Sequence, residues 1–290
     1  MMRDLLRLVR PAQWVKNGVV FLPMFFGGML LDPRCWLMSL AAFLTFSLAA
    51  SSVYCLNDAI DAESDRKHHV KCSRPVASGR VSLTAAYTLS LLLAVAALAA
   101  AIMMPGLWPT VVVASYLLIN LLYCFGLKRV SLLDVMMVSS GFVLRLAMGG
   151  VCCGITLSPW IVIMVFLLSL LMAFAKRRDD LVIAGRTGRN PRHSSIHYNI
   201  PFLNQVLAIL GAVIMVCYLM YCIAPGTIRQ FGTPYVYLTS VFVLAGLLRY
   251  LQVALVVEDS GSPTRIALTD RFLQSCVALW AISFTIIIYM

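Results

Sequence analysis

Residues 36–65 read WLMSLAAFLTFSLAASSVYCLNDAIDAESD, an uncharged run from Trp36 to Leu56 that ends abruptly in Asn57, Asp58, Asp61, Glu63 and Asp65. A helix rises 1.5 Å per residue and needs about 20 apolar residues to cross roughly 30 Å of hydrocarbon, so this run spells a membrane span with carboxylates at its mouth. Spacings of three, four and seven put Asp58, Asp61 and Asp65 on one helical face, with Asn57 beside them. Stacked carboxylates repel, and a helix C-terminus is the wrong dipole end for anions, so the set costs stability unless cations neutralise it. Oxygen-only ligands spread over a rise of about 10 Å suit one or two Mg²⁺ ions bridging to a pyrophosphate. A solvated acidic helix end paired with Lys67 and Lys71 is the plainer alternative. It accounts for any one carboxylate, but not for the aligned set.

Outward from this stretch the pattern repeats. Of 290 residues 61% are hydrophobic and 12% charged, against about 25% charged in an ordinary soluble domain. Apolar runs at 18–31, 36–57, 82–104, 107–125, 131–153, 158–175, 202–223, 235–256 and 272–289 give an expectation of nine spans, the first short and starting near Trp14. The fold class expected is therefore an all-α, polytopic membrane bundle forming one integral-membrane domain over 1–290. Two long loops, after spans 2 and 6, hint at two four-helix halves with a ninth span appended. No A-x-A-like cleavage site follows the first apolar run, so no signal peptide is expected.

The net charge of +11 is distributed by side of the membrane. Arg3, Arg7, Arg10 and Lys16 share one side with Arg66, Lys67, Lys71, Arg74, Arg80, Lys128, Arg129, the 176–192 cluster, Arg249, Arg265 and Arg271. Arg34 and Arg229 lie on the other. The positive-inside rule places the N-terminus and the acidic motif in the cytoplasm, the protein in the inner membrane and, with nine spans, the C-terminus outside. The same distribution argues against a nucleic-acid partner. The nine cysteines are scattered through apolar runs without a C-x-x-C pair, and read as small buried hydrophobes rather than disulfides or metal ligands.

Cations follow the acidic motif at Lys71, Arg74 and Arg80, able to serve phosphate oxygens or merely to mark the cytoplasmic side. Span 6 ends in Ala175-Lys176-Arg177-Arg178-Asp179-Asp180, a second carboxylate pair set among cations. Lys176 and Asp180, four apart, could also simply pair on the surface. Span 5 brings Lys128 at its start, Asp134 in its first turns and Arg145 nearly on the same face. An Arg inside a span costs roughly 2.5–3.5 kcal/mol, so Arg145 needs a partner, in a site or as a clamp on a helix carbonyl. His68, His69, His193 and His197 lie in the long loops and read as polar surface.

Asn57-Asp58-x-x-Asp61-x-x-x-Asp65 followed by Lys71-x-x-Arg74-Pro75-x-x-x-Gly79 closely resembles the first signature of the UbiA superfamily of intramembrane prenyltransferases. The resemblance covers nearly the whole chain. It implies a helical bundle whose central cavity opens to the cytoplasm and to lipid, and a Mg²⁺-bound pyrophosphate between two Asp-rich motifs. The second motif departs from the usual longer run with two Asp spaced four apart, being compact and basic. Arg10-Pro11-Ala12-Gln13-Trp14-Val15-Lys16-Asn17, Gly141-Phe142-Val143-Leu144-Arg145, Ala175–Arg178 and Gly261-Ser262-Pro263-Thr264 are similar to the decaprenyl-phosphate phosphoribosyltransferase branch.

That branch implies a soluble donor, phosphoribosyl pyrophosphate, and a lipid acceptor, a polyprenyl phosphate. It implies Asp58, Asp61, Asp65 and Asn57 on Mg²⁺, Asp180 as a further catalytic carboxylate, and Lys16, Lys71, Arg74, Lys128, Asp134, Arg145, Lys176, Arg177 and Arg178 toward the substrates. Two highly charged substrates would explain the surplus of cations. A prenyltransferase that moves an isoprenoid onto a small aromatic acceptor is the alternative. A transporter fits less well, since the carboxylates lie at one face rather than at the midplane. Homo-oligomers remain open at this stage.

Overall fold

The computed structural model describes residues 2–67, 71–187, 197–257, 266 and 269–289. His68, His69, His193 and the Gly261–Thr264 stretch lie outside them. Among the described residues every regular element is helical.

Seven helices are long and apolar enough to cross a membrane: 33–60, 83–102, 108–125, 133–153, 159–187, 200–223 and 235–257. They coincide with the second to eighth expected spans. The ninth expected span is a helix, Arg271–Tyr289, whose apolar part is shorter than those of the seven. The first, 18–31, is not one helix. A 3₁₀ segment, Pro11–Phe21, passes into a five-residue α-helix, Leu22–Phe26, and the chain turns at Gly27 and Gly28. The redirection starts at Arg10, whose φ of 55° is left-handed, with Pro11 opening the 3₁₀ turn behind it. The expected count of nine spans is thus not reproduced among the described residues.

The described chain divides into two compact units. The first, residues 1–128 and 141–157, contains α1 (Met2–Val9), the 3₁₀ segment, α2 (Leu22–Phe26), α3 (Pro33–Ile60), α4 (Ala62–Arg66), α5 (Leu83–Ile102), α6 (Trp108–Phe125) and the later turns of α7 (Leu133–Cys153). Asp32 caps α3 by accepting from the Arg34 N–H, with Pro33 at the first helical position, and Ser82 caps α5 by accepting from Ala85. Small residues let α3 and α5 approach closely: Ala42, Ala49, Ala50, Ala97 and Ala101 are buried, and Ser52 and Ser90 each donate to the other's carbonyl, at 2.8 and 2.9 Å.

The second unit, residues 129–140 and 158–290, contains the first turns of α7, then α8 (Pro159–Thr187), α9 (Ile200–Ile223), α10 (Pro225–Phe231), α11 (Ser240–Gln252) closing in a π-helical turn at Val253–Val257, and α12 (Arg271–Tyr289). Its core gathers Leu171, Phe174, Leu203, Leu207, Leu247, Tyr250 and Ala254. The outward residues remain greasy, with Ile209, Val216 and Leu248 more than half exposed. Lipid is the solvent for such faces.

Lengths position the chemistry. At 28 residues α3 spans about 42 Å, and α8 at 29 is slightly longer, so each exceeds the hydrocarbon by roughly two turns. The C-terminal turns carry acidic residues: Asp58 in the last turn of α3, and Asp179 and Asp180 about two turns before the end of α8.

Candidate active site

In the first unit the helical hydrogen bonding continues through Asp61, since Asp61 N–H donates to Asn57 O at 2.9 Å and Asp65 N–H to Asp61 O at 2.8 Å. The expected shared face is therefore kept across the junction of α3 and α4. Asp58 and Asp65 are buried, at 2% and 3% exposure, and both turn toward Arg74. One guanidinium nitrogen, Arg74 Nη1, donates to Asp58 Oδ1 at 3.0 Å and to Asp65 Oδ2 at 2.7 Å. Lys71 Nζ stands 3.9 Å from Asp65 Oδ1. Asp61 turns instead to Lys128, whose ammonium also donates to Asn57 Oδ1 at 3.3 Å.

The turn holding Arg74 is fixed by the backbone: Ser78 N–H donates to Arg74 O and Val81 N–H to Pro75 O, and Gly79 takes a φ of 78° that side chains resist. Arg80 leaves the site for Asp4, 3.3 Å away.

Arg10 joins the cluster from 48 residues away. Its Nη2 donates to Asp58 Oδ1 at 2.6 Å, and its guanidinium lies 5.3 Å from the Tyr54 ring centre. Sequence reasoning saw Arg10 only as a topology charge and part of a motif. Its signal is the left-handed residue before Pro11, which no spacing rule exposes. Lys16 sits half-buried on the same 3₁₀ segment.

Arg145, 5% exposed, donates to Asn17 Oδ1 at 2.7 Å, to the Gly141 carbonyl at 2.8 Å and to the Tyr116 hydroxyl at 3.2 Å. The rings of Phe46, Tyr116 and Phe142 lie 5.0–5.2 Å from its guanidinium carbon. Its partners are neutral acceptors and aromatic faces, the arrangement of a clamp.

In the second unit Arg177 Nε donates to the fully buried Asp134 at 2.7 Å, and its Nη1 to Asp180 at 3.3 Å. Arg178 turns away to Asn204 Oδ1 and to the carbonyls of Ala254 and Leu255 in the π-helical turn. Asp179 is buried, Asp180 half-buried and Lys176 exposed. Sequence reasoning also missed Tyr198, whose hydroxyl accepts from the Leu132 N–H at 2.6 Å and so anchors the strained entry to α7, where Leu132 has a φ of 68°. Burial raises the Tyr198 hydroxyl above its ordinary pKa.

The acidic motif, its trailing Arg74-Pro75 turn and the helical frame match one family model, the UbiA prenyltransferase family, over residues 20–286. The chain belongs to the UbiA prenyltransferase family. A decaprenyl-phosphate phosphoribosyltransferase of Mycolicibacterium smegmatis is 36% identical over 292 residues, covering 95% of this chain and 89% of that protein. One of Mycobacterium tuberculosis is 37% identical over 281 residues, covering 94% and 90%. A UbiA homologue of Archaeoglobus fulgidus solved with DMAPP and Mg²⁺ superposes with a TM-score of 0.74 at 17% identity, covering 98% of this chain and 99% of that one. At that identity the likeness shows the UbiA fold.

The donor chemistry can be tested against a divalent cation. Among the described residues no group of three or more His, Cys, Asp or Glu is gathered closely enough to hold a metal alone. Asp58 and Asp65 nevertheless aim one oxygen each at a single cationic nitrogen, Arg74 Nη1. Mg²⁺ is commonly held by one or two carboxylates, with substrate phosphates and water filling the other positions. Two converging carboxylates with hard oxygen donors beside them fit that requirement.

Proposed function

We propose that this chain is a polyprenyl-phosphate phosphoribosyltransferase, acting as one catalytic domain at the cytoplasmic face of the inner membrane. The 5-phosphoribosyl group leaves phosphoribosyl pyrophosphate and joins a phosphate oxygen of a polyprenyl phosphate. The anomeric carbon–oxygen bond to pyrophosphate breaks as the new one forms, and pyrophosphate departs.

One observation carries this reading: four cations, Arg10, Lys71, Arg74 and Lys128, gather on three carboxylates at the end of α3. That surplus of positive charge suits phosphate-rich substrates. The relatives named decaprenyl-phosphate phosphoribosyltransferase support the choice of donor and acceptor.

Asp58 and Asp65, with Asp61 and Asn57, would hold Mg²⁺, which supplies charge neutralisation to the pyrophosphate leaving group. Arg74 and Arg10 exchange their carboxylate partners for phosphate oxygens when the donor enters, as charge-assisted donors with planar forks can. Lys71, Lys16 and Lys128 add point charges for phosphate. The acceptor is already an anion, so the side chains need not remove a proton from it. Arg145 holds Asn17, and with it the segment bearing Lys16, in place. In the second unit Asp180 is the catalytic carboxylate and the exposed Lys176 a phosphate-binding cation. Arg177 joins Asp180 to Asp134, and Arg178 fixes the turn after α11.

The test supplies labelled phosphoribosyl pyrophosphate or labelled prenyl pyrophosphate to purified protein with Mg²⁺ and a membrane lipid extract, and analyses the lipid by mass spectrometry. The expected product is a ribosyl-phosphate-bearing polyprenyl phosphate, formed with one equivalent of pyrophosphate. Label transferred only from prenyl pyrophosphate, onto an aromatic acceptor, would refute the donor and establish a prenyltransferase. Turnover in detergent, without any gradient, excludes transport.

A further inference from the structure

We propose that Cys35 and Cys153 are the site of an intramolecular disulfide that ties the first turn of α3 to the last residue of α7. Both residues belong to the first unit. Cys153 Sγ lies 3.7 Å from the Cys35 carbonyl oxygen, which brings it to the backbone of the residue it would bond. Ser39 Oγ stands 3.3 Å from Cys153 Sγ, one turn along α3 from Cys35.

The neighbouring thiol is turned elsewhere. Cys152 Sγ points at Met104 Sδ, 3.7 Å away, so of the vicinal pair Cys153 alone faces Cys35. A disulfide needs its sulfurs at about 2.05 Å and its Cα atoms within about 7 Å. Both cysteines sit at helix ends, where a small shift is cheap. Cys35 is the third residue of α3, and Cys153 is followed by Gly154 with a φ of 65°.

The pair lies 23 residues before Asp58 on α3, about 34 Å away along the helix. It is therefore at the end of α3 opposite the acidic motif. On the orientation proposed above, that end faces the oxidising compartment, where disulfides persist. The inference rests on that orientation for its cellular setting only, since the geometry does not depend on it.

The oxidant is a disulfide, such as oxidised glutathione or a protein disulfide. Cys153, the more exposed thiol, gives up its proton and attacks one sulfur of the oxidant, which releases one thiol and leaves a mixed disulfide. Cys35, deprotonated in turn, displaces the second thiol. Two protein thiols are oxidised and one oxidant disulfide is reduced to two thiols.

Full-length protein in detergent is treated with oxidised glutathione, alkylated and mapped by mass spectrometry without reduction. Expected are joined peptides bearing Cys35 and Cys153, an intact mass lower by about 2 Da, persistence of the link in Cys152→Ala and its loss in Cys153→Ala. Recovery of both cysteines as alkylated thiols or glutathione adducts, or of Cys153 linked to any other cysteine, overturns the proposal. The unsubstituted protein decides this, so no variant has to fold. Detergent-solubilised protein has no sides, so the result is independent of the orientation, which site-specific labelling tests separately.

Discussion

Replacing Arg177 by Met should destabilise the protein by roughly 3–5 kcal/mol, because it takes the guanidinium away from a fully buried carboxylate. The Arg177 and Asp134 side chains are 5% and 0% exposed, and Nε meets Oδ2 at 2.7 Å. At that separation and an effective dielectric of about 20, the gross attraction is about 6 kcal/mol. Desolvation of both ions cancels much of it, so the intact pair adds little net stability. Removing one member forfeits the attraction and keeps the other's desolvation cost. The double variant Arg177→Met/Asp134→Leu removes both charges and should lie well above the sum of the single losses, with a coupling of at least about 2 kcal/mol. Reversible unfolding of the wild type, both single variants and the double variant in one detergent measures the cycle. A single-variant loss below about 1 kcal/mol, the scale of a solvated surface pair, or additive losses in the double, would refute the reasoning that this pair is buried and interdependent.

Asp58→Asn should lower turnover roughly 100-fold or more while the protein stays folded, since it would take an anionic ligand from the Mg²⁺ that neutralises the pyrophosphate leaving group; retention of more than about a tenth of activity contradicts the metal role. Gly149→Ala places a Cβ 2.0 Å from the Val20 carbonyl oxygen, a backbone atom, and should destabilise by about 1–3 kcal/mol or more, whereas Gly185→Ala, with nothing within 4 Å, should be neutral or mildly stabilising in the same melt. Cysteines introduced at Gly185 and Arg229 should label from the cytoplasmic and the opposite side respectively, and labelling of position 185 from outside would overturn the orientation. Asp270 accepts two hydrogen bonds from Arg249, at 3.0 and 2.8 Å, which hold its carboxyl below the ordinary 3.8; that contribution is full above 3.8 and lost as pH falls through the lower folded value, so the gap in melting midpoint between wild type and Asp270→Asn should be widest near neutrality and close in acid.

Seven of the spans were legible because hydrophobic length is a one-dimensional property, and bilayer thickness converts it directly into a helix. The acidic face was legible for a similar reason: Asp58, Asp61 and Asp65 are near neighbours in sequence, and i to i−4 hydrogen bonds run through the junction of α3 and α4, so their alignment follows from 3.6 residues per turn. Contacts made at a distance were not legible. Lys128 reaches Asp61 across 67 residues and Arg177 reaches Asp134 across 43; the sequence marks both as cations near the site but does not name the carboxylate that each meets. Arg178 carries the same appearance, yet it ties α8 to the carbonyls after α11. A cationic side chain announces its charge but not its direction, and in this chain direction separates phosphate ligands from internal braces.

The first apolar run shows how a local pattern can be overruled. Residues 18–31 have a span's composition, but the segment before and within them answers to a polar stripe on α3. Asn17 donates to Ser47 Oγ at 2.9 Å, Trp14 to Ser51 Oγ at 3.0 Å and Arg10 to Asp58 at 2.6 Å, an antiparallel sequence of contacts. From Ser47 to Ser51 an α-helix rises about 6 Å in four residues. A 3₁₀ helix covers the same distance in three, at about 2.0 Å each, which is the interval from Trp14 to Asn17. The tighter winding therefore keeps the two elements in register, where an α-helix over 11–21 would fall short by about 1.5 Å over the same interval. Ser51 also donates to the Val9 carbonyl at 2.9 Å, and Arg145 secures Asn17 from α7. These contacts hold the segment flat along α3 and deliver Arg10 to Asp58, so the departure from a membrane span and the missing cation of the site have one physical cause.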